Sequence, residues 1–214
     1  MQTIDLKEAE RRAFRSTHQD GLWDIYLGAI FVVFGAIPVL RNVAKLSEQA
    51  SMIVHIMVLL IVMLLWIGGK KYITTPRVGM VKFSKDRQRK LMRARIVLFG
   101  SVALGMIVFA LIASDTVRSL DFFVYVLAAN ILIVFGAMAY FMSFERLYYY
   151  AVLYALSMPV GLLLEDQALL SDAPYIFILT GGLPVVIGIA LFARFLRDYP
   201  LHTEVDWGPS DDIN

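Results

Sequence analysis

The sequence predicts an all-α, polytopic membrane protein: a bundle of six transmembrane helices with both termini in the cytoplasm. Of the 214 residues, 59% are hydrophobic and 18% are charged, and the mean hydropathy is +0.68. A soluble domain has roughly 45–50% apolar and about 25% charged residues. The apolar excess lies in long blocks, as helices that cross a bilayer require. Most of the basic residues lie outside these blocks, and their distribution predicts the orientation.

Six apolar segments are long enough to span a bilayer. Each has roughly 18–23 residues, close to the ~20 that a helix needs to cross a ~30 Å hydrocarbon core. The predicted spans are 22–40, 51–68, 96–114, 122–144, 147–164 and 174–195. Because only residues 142–147 join the fourth and fifth spans, these two should form an antiparallel pair. An odd number of spans is the alternative, with the fifth segment re-entrant around Pro159 and Gly161.

The chain divides into three predicted parts. Residues 1–20 form a cytoplasmic segment with an amphipathic helix over 4–17, either among the lipid headgroups or capping the bundle. This segment is too charged for a cleavable signal peptide. Residues 21–198 form the transmembrane domain. Residues 199–214 form an acidic cytoplasmic tail.

The stretch from Lys70 to Arg95 is the main determinant of topology. It holds ten cations and one anion, Asp86. With both termini inside, seventeen of the twenty Lys and Arg residues lie on the cytoplasmic side, a strong positive-inside pattern.

The same stretch contains signals for local structure. Pro76 is expected to hold Thr75 in an extended conformation, so the second helix should end before it. Residues 78–83 are rich in β-formers and predict a short extended element. Ser84 is a candidate N-cap for a helix that runs from Lys85 into the third span.

Two segments beside the spans, DGLWDIYLG at 20–28 and TTPRVGMVKF at 74–83, resemble segments of uncharacterised prokaryotic multi-span membrane proteins. The resemblance covers 19 of the 214 residues and implies a prokaryotic origin without implying a function. Together with the spans, it predicts a multi-pass protein of the cell inner (cytoplasmic) membrane.

An internal duplication is a further hypothesis. GAIFVVFGAI at 28–37 aligns without gaps to ANILIVFGAM at 129–138. An offset of three spans would make the halves inverted repeats, an arrangement found in many transporters. Short apolar segments also agree by chance, which is the alternative.

The basic loop is the predicted docking surface for anionic lipid headgroups or for a partner protein. Along a helix that begins at Lys85, the cations encircle the axis, which suits a headgroup layer better than a single protein groove. The alternative is that these charges only set the topology. The candidate residues are Arg77, Lys82, Lys85, Arg87, Arg89, Lys90 and Arg93.

Three polar residues inside the spans are candidates for an intramembrane site. Asp24 either interacts with the helix dipole at the start of the first span, pairs with a loop arginine, or binds a proton. His55 is a hydrogen-bonded or interfacial histidine, or a ligand. Asn130 either makes a helix–helix hydrogen bond or lines a polar pathway.

Glycine and proline predict two further features. Pro159, Gly161, Gly182 and Pro184 are candidate helix breaks, which would either line a cavity or kink the fifth and sixth spans for packing. Pairs of small residues on single helix faces predict close packing, either inside the bundle or in a homo-oligomer. These pairs are Gly28 and Gly35, Ser101 and Gly105, Ala151 and Ala155, and Gly181 and Gly188.

The chemistry of the sequence narrows the function. The chain has no cysteine, which excludes disulfides and thiolate sites, and its three histidines have no metal-binding spacing. We therefore expect no catalytic residue, metal or cofactor, and the net charge of +2 gives no support for nucleic-acid binding. The favoured function is a non-enzymatic subunit or accessory protein that docks a membrane-complex partner or anionic lipid. The alternative is a small transporter or channel for a neutral or apolar solute.

Overall fold

The structure is a computed structural model that describes residues 20–78, 85–114, 120–166 and 174–200. Within these ranges, all six long helices are apolar enough to cross a membrane, which confirms the all-helical fold with six candidate spans. The helices are α1 (Leu22–Ala44), α2 (Glu48–Gly68), α3 (Lys85–Ala113), α4 (Leu120–Met142), α5 (Arg146–Asp166) and α6 (Pro174–Asp198). The predicted helix over 4–17, the cap at Ser84 and the tail beyond residue 200 lie outside the described residues.

The helices are neighbours in the order α2, α1, α6, α5, α4, α3. The most extensive contacts are between α1 and α6 and between α4 and α5, so the predicted pairing of the fourth and fifth spans is confirmed. Helices α2 and α3, at the two ends of this series, make at most slight contact with each other. We call the end of the bundle at which α1, α3 and α5 begin the basic end.

Helices α1 and α6 approach until their backbones touch. Gly28 faces Gly181, and a Cβ added to either glycine would lie 2.5 or 2.6 Å from the carbonyl oxygen of the other. The same contact recurs where Gly21, seven residues before Gly28, faces Gly188, seven residues after Gly181. Gly21 also has a φ of +86°, which a residue with a Cβ rarely adopts. The predicted packing faces of these two helices therefore lie inside the bundle.

The core lies between α1, α4 and α5, toward the basic end. Phe31 of α1 stacks on Tyr154 of α5 with ring centroids 3.6 Å apart. Phe144, Leu147 and Tyr150 complete the centre of this cluster and are almost fully buried. By contrast, α2 has no buried residue between Glu48 and Gly68, so most of its surface is not covered by the other described helices.

The second helix does not end before Pro76, which corrects one expectation. The chain continues after Gly68 through a wide, π-helical turn, Gly69–Thr74, and then through a last α-helical turn, Thr75–Val78. The backbone N–H of Thr75 donates to the carbonyl of Lys70, five residues back. This wider winding makes room for the proline ring, so Thr75 keeps helical φ and ψ angles of −58° and −44°. Residue 78 is therefore helical, and the rest of the predicted extended element lies outside the described residues.

The candidate breaks do not interrupt α5 or α6, so a complete break is wrong, and the alternative of a kink stays a prediction. Helix α5 continues through Pro159 and Gly161, and α6 continues through Gly182 and Pro184. An uninterrupted α5 of 21 residues is long enough to span a bilayer, which disagrees with the re-entrant alternative. The prolines are tolerated because a proline removes only one backbone donor from a helix that its neighbours hold in place.

Candidate functional site

A buried carboxylate, Asp20, lies directly before α1 at the basic end. Both of its oxygens accept from Lys70 Nζ, at 2.9 and 2.7 Å, and Thr74 Oγ1 donates to Oδ2 at 2.6 Å. Asp20 is 0% exposed and Lys70 is 17% exposed. The wide turn after α2 brings Lys70 and Thr74, four residues apart, onto the same carboxylate. Asp20 therefore anchors the end of α2 to the start of α1.

Asp24, one helical turn further on, makes the corresponding connection to α5. Tyr150 Oη donates to Asp24 Oδ1 at 2.5 Å, and Arg146 Nη2 lies 3.2 Å from Asp24 Oδ2. The second contact is an ion pair without hydrogen-bond alignment, since neither of its two atoms makes a hydrogen bond to a described residue. The predicted partner for Asp24 was an arginine of the basic loop, whereas the partner that the structure shows, Arg146, lies between the fourth and fifth spans.

These contacts form one buried charge cluster, which we define as Asp20, Asp24, Lys70 and Arg146. It contains two carboxylates and two cations, so its formal charges cancel, as burial in an apolar environment requires. Tyr154 lies one turn beyond Tyr150, is fully buried, and has a hydroxyl without a hydrogen-bond partner among the described residues. Within those residues, no group of three or more His, Cys, Asp or Glu is placed to hold a metal ion.

An apolar cavity of about 320 Å³ lies beside this cluster. Helices α1 and α4 contribute four lining residues each, whereas α2 and α3 contribute one each, Trp66 and Leu98. Trp23, Tyr26 and Trp66 form an aromatic wall, with Trp66 at 4.6 Å from Trp23 and 5.1 Å from Tyr26 between ring centroids. The described residues that line the cavity include no charged side chain.

Phe144 connects the cavity to the charge cluster. Its ring lines the cavity, and the guanidinium of Arg146 lies 5.2 Å from the ring centroid, in cation–π range. The cavity therefore occupies the half of the bundle next to the basic end, and one cation of the cluster lies against its wall.

The first turns of α3 place their cations on the surface. Leu91 packs against the core, Ala94 is buried and Leu98 lines the cavity, so this stripe faces the bundle. Arg89 and Arg93 are among the cations that point outward. The exposed cations of this segment are Arg89, Lys90, Arg93 and Arg95.

The remaining candidates of the basic loop are less exposed or lie outside the description. Arg87 is half-buried. Arg77 is half-buried too and donates to the carbonyl of Ile73 on its own helix at 3.2 Å. Lys82 and the side chain of Lys85 lie outside the described residues.

Asn130 makes a helix–helix hydrogen bond, which was one of the two roles predicted for it. Its Nδ2 donates to Ser101 Oγ at 2.9 Å and joins α4 to α3. The other small residue of the α3 pair, Gly105, has no atom of another described helix within 4 Å of the position of an added Cβ, so this face is not tightly packed. Asn130 is therefore an interhelical contact, away from the charge cluster.

His55 lies near the start of α2, at the opposite end of the bundle. Its ring contacts Phe34 edge-on, with centroids 4.8 Å apart, and its Nε2 has no hydrogen-bond partner among the described residues. The structure therefore does not bring Asp24, His55 and Asn130 together into one site.

Sequence reasoning missed Asp20, Lys70, Tyr150 and the cavity. The sequence carried only a weak signal for the cluster, because the residues that pair with Asp20 and Asp24 lie 50 and 126 positions away.

The described residues form six helices that are long and apolar enough to cross a membrane, as the helices of multi-pass membrane proteins are. No protein-family model, curated protein sequence or solved structure matches it.

Proposed function

We propose that this chain is a non-enzymatic, multi-pass protein of the cell inner (cytoplasmic) membrane whose basic end faces the cytoplasm and binds anionic lipid. The observation that carries the proposal is the row of exposed cations on α3 beside an apolar cavity at the same end of the bundle. Cations that meet a headgroup layer, next to a concave apolar surface that meets acyl chains, are complementary to the two halves of an anionic lipid.

The proposed orientation follows from charge. Seventeen of the twenty Lys and Arg residues fall on one side when both termini are placed there, and such residues are retained in the cytoplasm. The cytoplasmic leaflet also carries the negative surface potential that attracts them. The same end is therefore the one at which anionic lipid is available.

The cations differ in what they contribute. Lys70 and Arg146 neutralise buried aspartates, so their main effect is on the fold. The exposed cations of α3 are each worth about 1 kcal/mol next to an anionic leaflet, which corresponds to roughly fivefold in affinity. The attraction falls off over a Debye length of about 8 Å at physiological salt, so it requires direct contact with the headgroups.

The cavity also supports the second candidate function, a small transporter or channel for a neutral or apolar solute. Its uncharged lining would not bind an ion. Substrate-dependent flux in sealed liposomes separates this candidate from the first.

The lipid-binding proposal predicts the effect of removing two exposed cations. Arg89→Gln/Arg93→Gln should weaken anionic lipid binding by up to about 30-fold, since two contacts of about 1 kcal/mol are lost. Binding is measured as anionic lipid that co-purifies with the protein, by mass spectrometry, and as thermal stabilisation by added anionic lipid at low and high salt. The matched control is Arg41→Gln/Lys45→Gln, which removes two exposed cations at the opposite end of the bundle.

The parent protein and the control should retain both the lipid and the salt-sensitive stabilisation. If the α3 variant retains them as well, these charges only set the topology, and the proposed function is wrong.

A further inference from the structure

We infer that the cavity between α1, α2, α3 and α4 is a binding site for one acyl chain of an anionic membrane lipid whose phosphate is held by the exposed cations of α3. This inference rests on the proposed function and adds the position and the chemical class of the ligand.

The size and lining of the cavity fit a hydrocarbon chain. A cavity needs only about 10–15 Å³ of volume to hold one water molecule. The cavity of about 320 Å³ is many times larger and has room for a segment of a hydrocarbon chain. Trp66 lines the cavity, and its indole N–H is buried without a hydrogen-bond acceptor among the described residues; a lipid ester carbonyl is such an acceptor.

The route into the cavity lies between α2 and α3. These helices make at most slight contact with each other and contribute one lining residue each. Lys70 is one turn beyond Trp66 and is bonded to Asp20, so this contact holds the chain after α2 in place at the basic end. A chain that enters sideways from the bilayer would pass between Trp66 and Leu98.

The α3 cations stand at the correct depth for the phosphate of the same lipid. Arg95 lies three residues before Leu98, on the same side of the helix and about 4.5 Å nearer the basic end along the axis. The length of the arginine side chain adds to this separation and leaves space for the glycerol and ester groups between the phosphate and the first buried methylenes.

Selectivity must come from the headgroup. An acyl chain leaves one apolar environment for another when it enters the cavity, so it gains little from the hydrophobic effect. Anionic lipid should therefore occupy the site in preference to zwitterionic lipid with the same chains, and high salt should abolish the preference.

Tryptophan fluorescence can detect the bound chain. The protein has three tryptophans, Trp23, Trp66 and Trp207, and the first two line the cavity. In a Trp207→Phe background, the protein is placed in zwitterionic bilayers that contain a small fraction of lipid with brominated acyl chains. Anionic brominated lipid should quench the fluorescence severalfold more than zwitterionic brominated lipid, because bromine quenches only at close range.

Two variants fill the cavity, so that the test can be carried out with one of them if the other fails to fold. Ile30→Phe adds volume to the wall formed by α1, and Leu98→Phe adds it at the more exposed entrance on α3. Ile96→Phe is the matched control, since Ile96 is 63% exposed and does not line the cavity. Both filling variants should lose the excess quenching while Ile96→Phe keeps it.

The outcomes separate this inference from the proposed function. Loss of the excess quenching with retention of co-purified anionic lipid supports a chain in the cavity and headgroups on the basic end. Two results would overturn the inference, because each means that the cavity holds no selected chain. In the first, anionic brominated lipid quenches the fluorescence of the filling variants as strongly as that of the parent. In the second, anionic and zwitterionic brominated lipids quench the fluorescence of the parent equally. The co-purification experiment with the cation variants still decides the proposed function in that case.

Discussion

Arg146→Met should lower the free energy of unfolding by about 3 kcal/mol, because it leaves the carboxylate of Asp24 buried without its cation. Asp24 is 0% exposed and Arg146 is 26% exposed, so the charge that remains is the one without access to water. Removal of one partner from a buried ion pair typically costs about 3–5 kcal/mol, and the partial exposure of Arg146 favours the lower value. Denaturant titration of the detergent-solubilised protein measures the change.

Two variants control this prediction. Arg194→Met breaks the exposed pair with Asp198, in which the side chains are 71% and 45% exposed, and should cost less than about 1 kcal/mol. Asp24→Asn/Arg146→Met removes both charges while an amide oxygen remains to accept from Tyr150, so it should recover part of the loss. A cost for Arg146→Met no greater than that for Arg194→Met would contradict the buried charge cluster.

Gly181→Ala should also be strongly destabilising. An added Cβ would lie 2.6 Å from the carbonyl oxygen of Gly28 and 2.6 Å from the backbone nitrogen of Val32. Backbone atoms cannot rotate away as a side chain can, so α1 and α6 must separate. Overpacking of this kind costs about 1–3 kcal/mol, and a shift along the whole α1–α6 interface favours the upper value.

The neighbouring glycine provides the matched control. Gly182 lies on the same helix, and no atom of another described helix lies within 4 Å of the position of an added Cβ. Gly182→Ala should therefore be neutral or stabilising by up to about 1 kcal/mol, since alanine is the better helix former. The same unfolding titration compares the two variants, and equal effects would show that α1 and α6 are not in backbone contact.

The sequence was sufficient to predict the helices because hydropathy and charge act over whole segments. Six apolar blocks gave six helices, and the segment from Lys85 into the third span is helical as predicted. The errors were local. Pro76 was expected to end the second helix, but the wide turn that brings Lys70 and Thr74 onto Asp20 also leaves room for the proline ring.

The site was less predictable than the fold. Asp24 was recognisable because an acid at the start of an apolar run is unusual, yet nothing in the sequence indicated that Arg146 lies beside it. The cavity depends on which helices become neighbours, and a pattern within one helix carries no such information. The spacing of seven between Gly28 and Gly35 predicted a packing face, whereas its partner helix became known only from the structure.

The orientation of the basic end is the claim on which lipid binding depends, and cysteine labelling tests it most directly. The parent chain has no cysteine, so single substitutions need no background removal. In intact cells, an impermeant thiol reagent should label Ser47→Cys, Ser119→Cys and Asp166→Cys. Ser84→Cys, Ser210→Cys and Glu145→Cys should react only after the membrane is permeabilised. Labelling of Ser84→Cys or Glu145→Cys from outside would place the basic end on the external face and contradict the account.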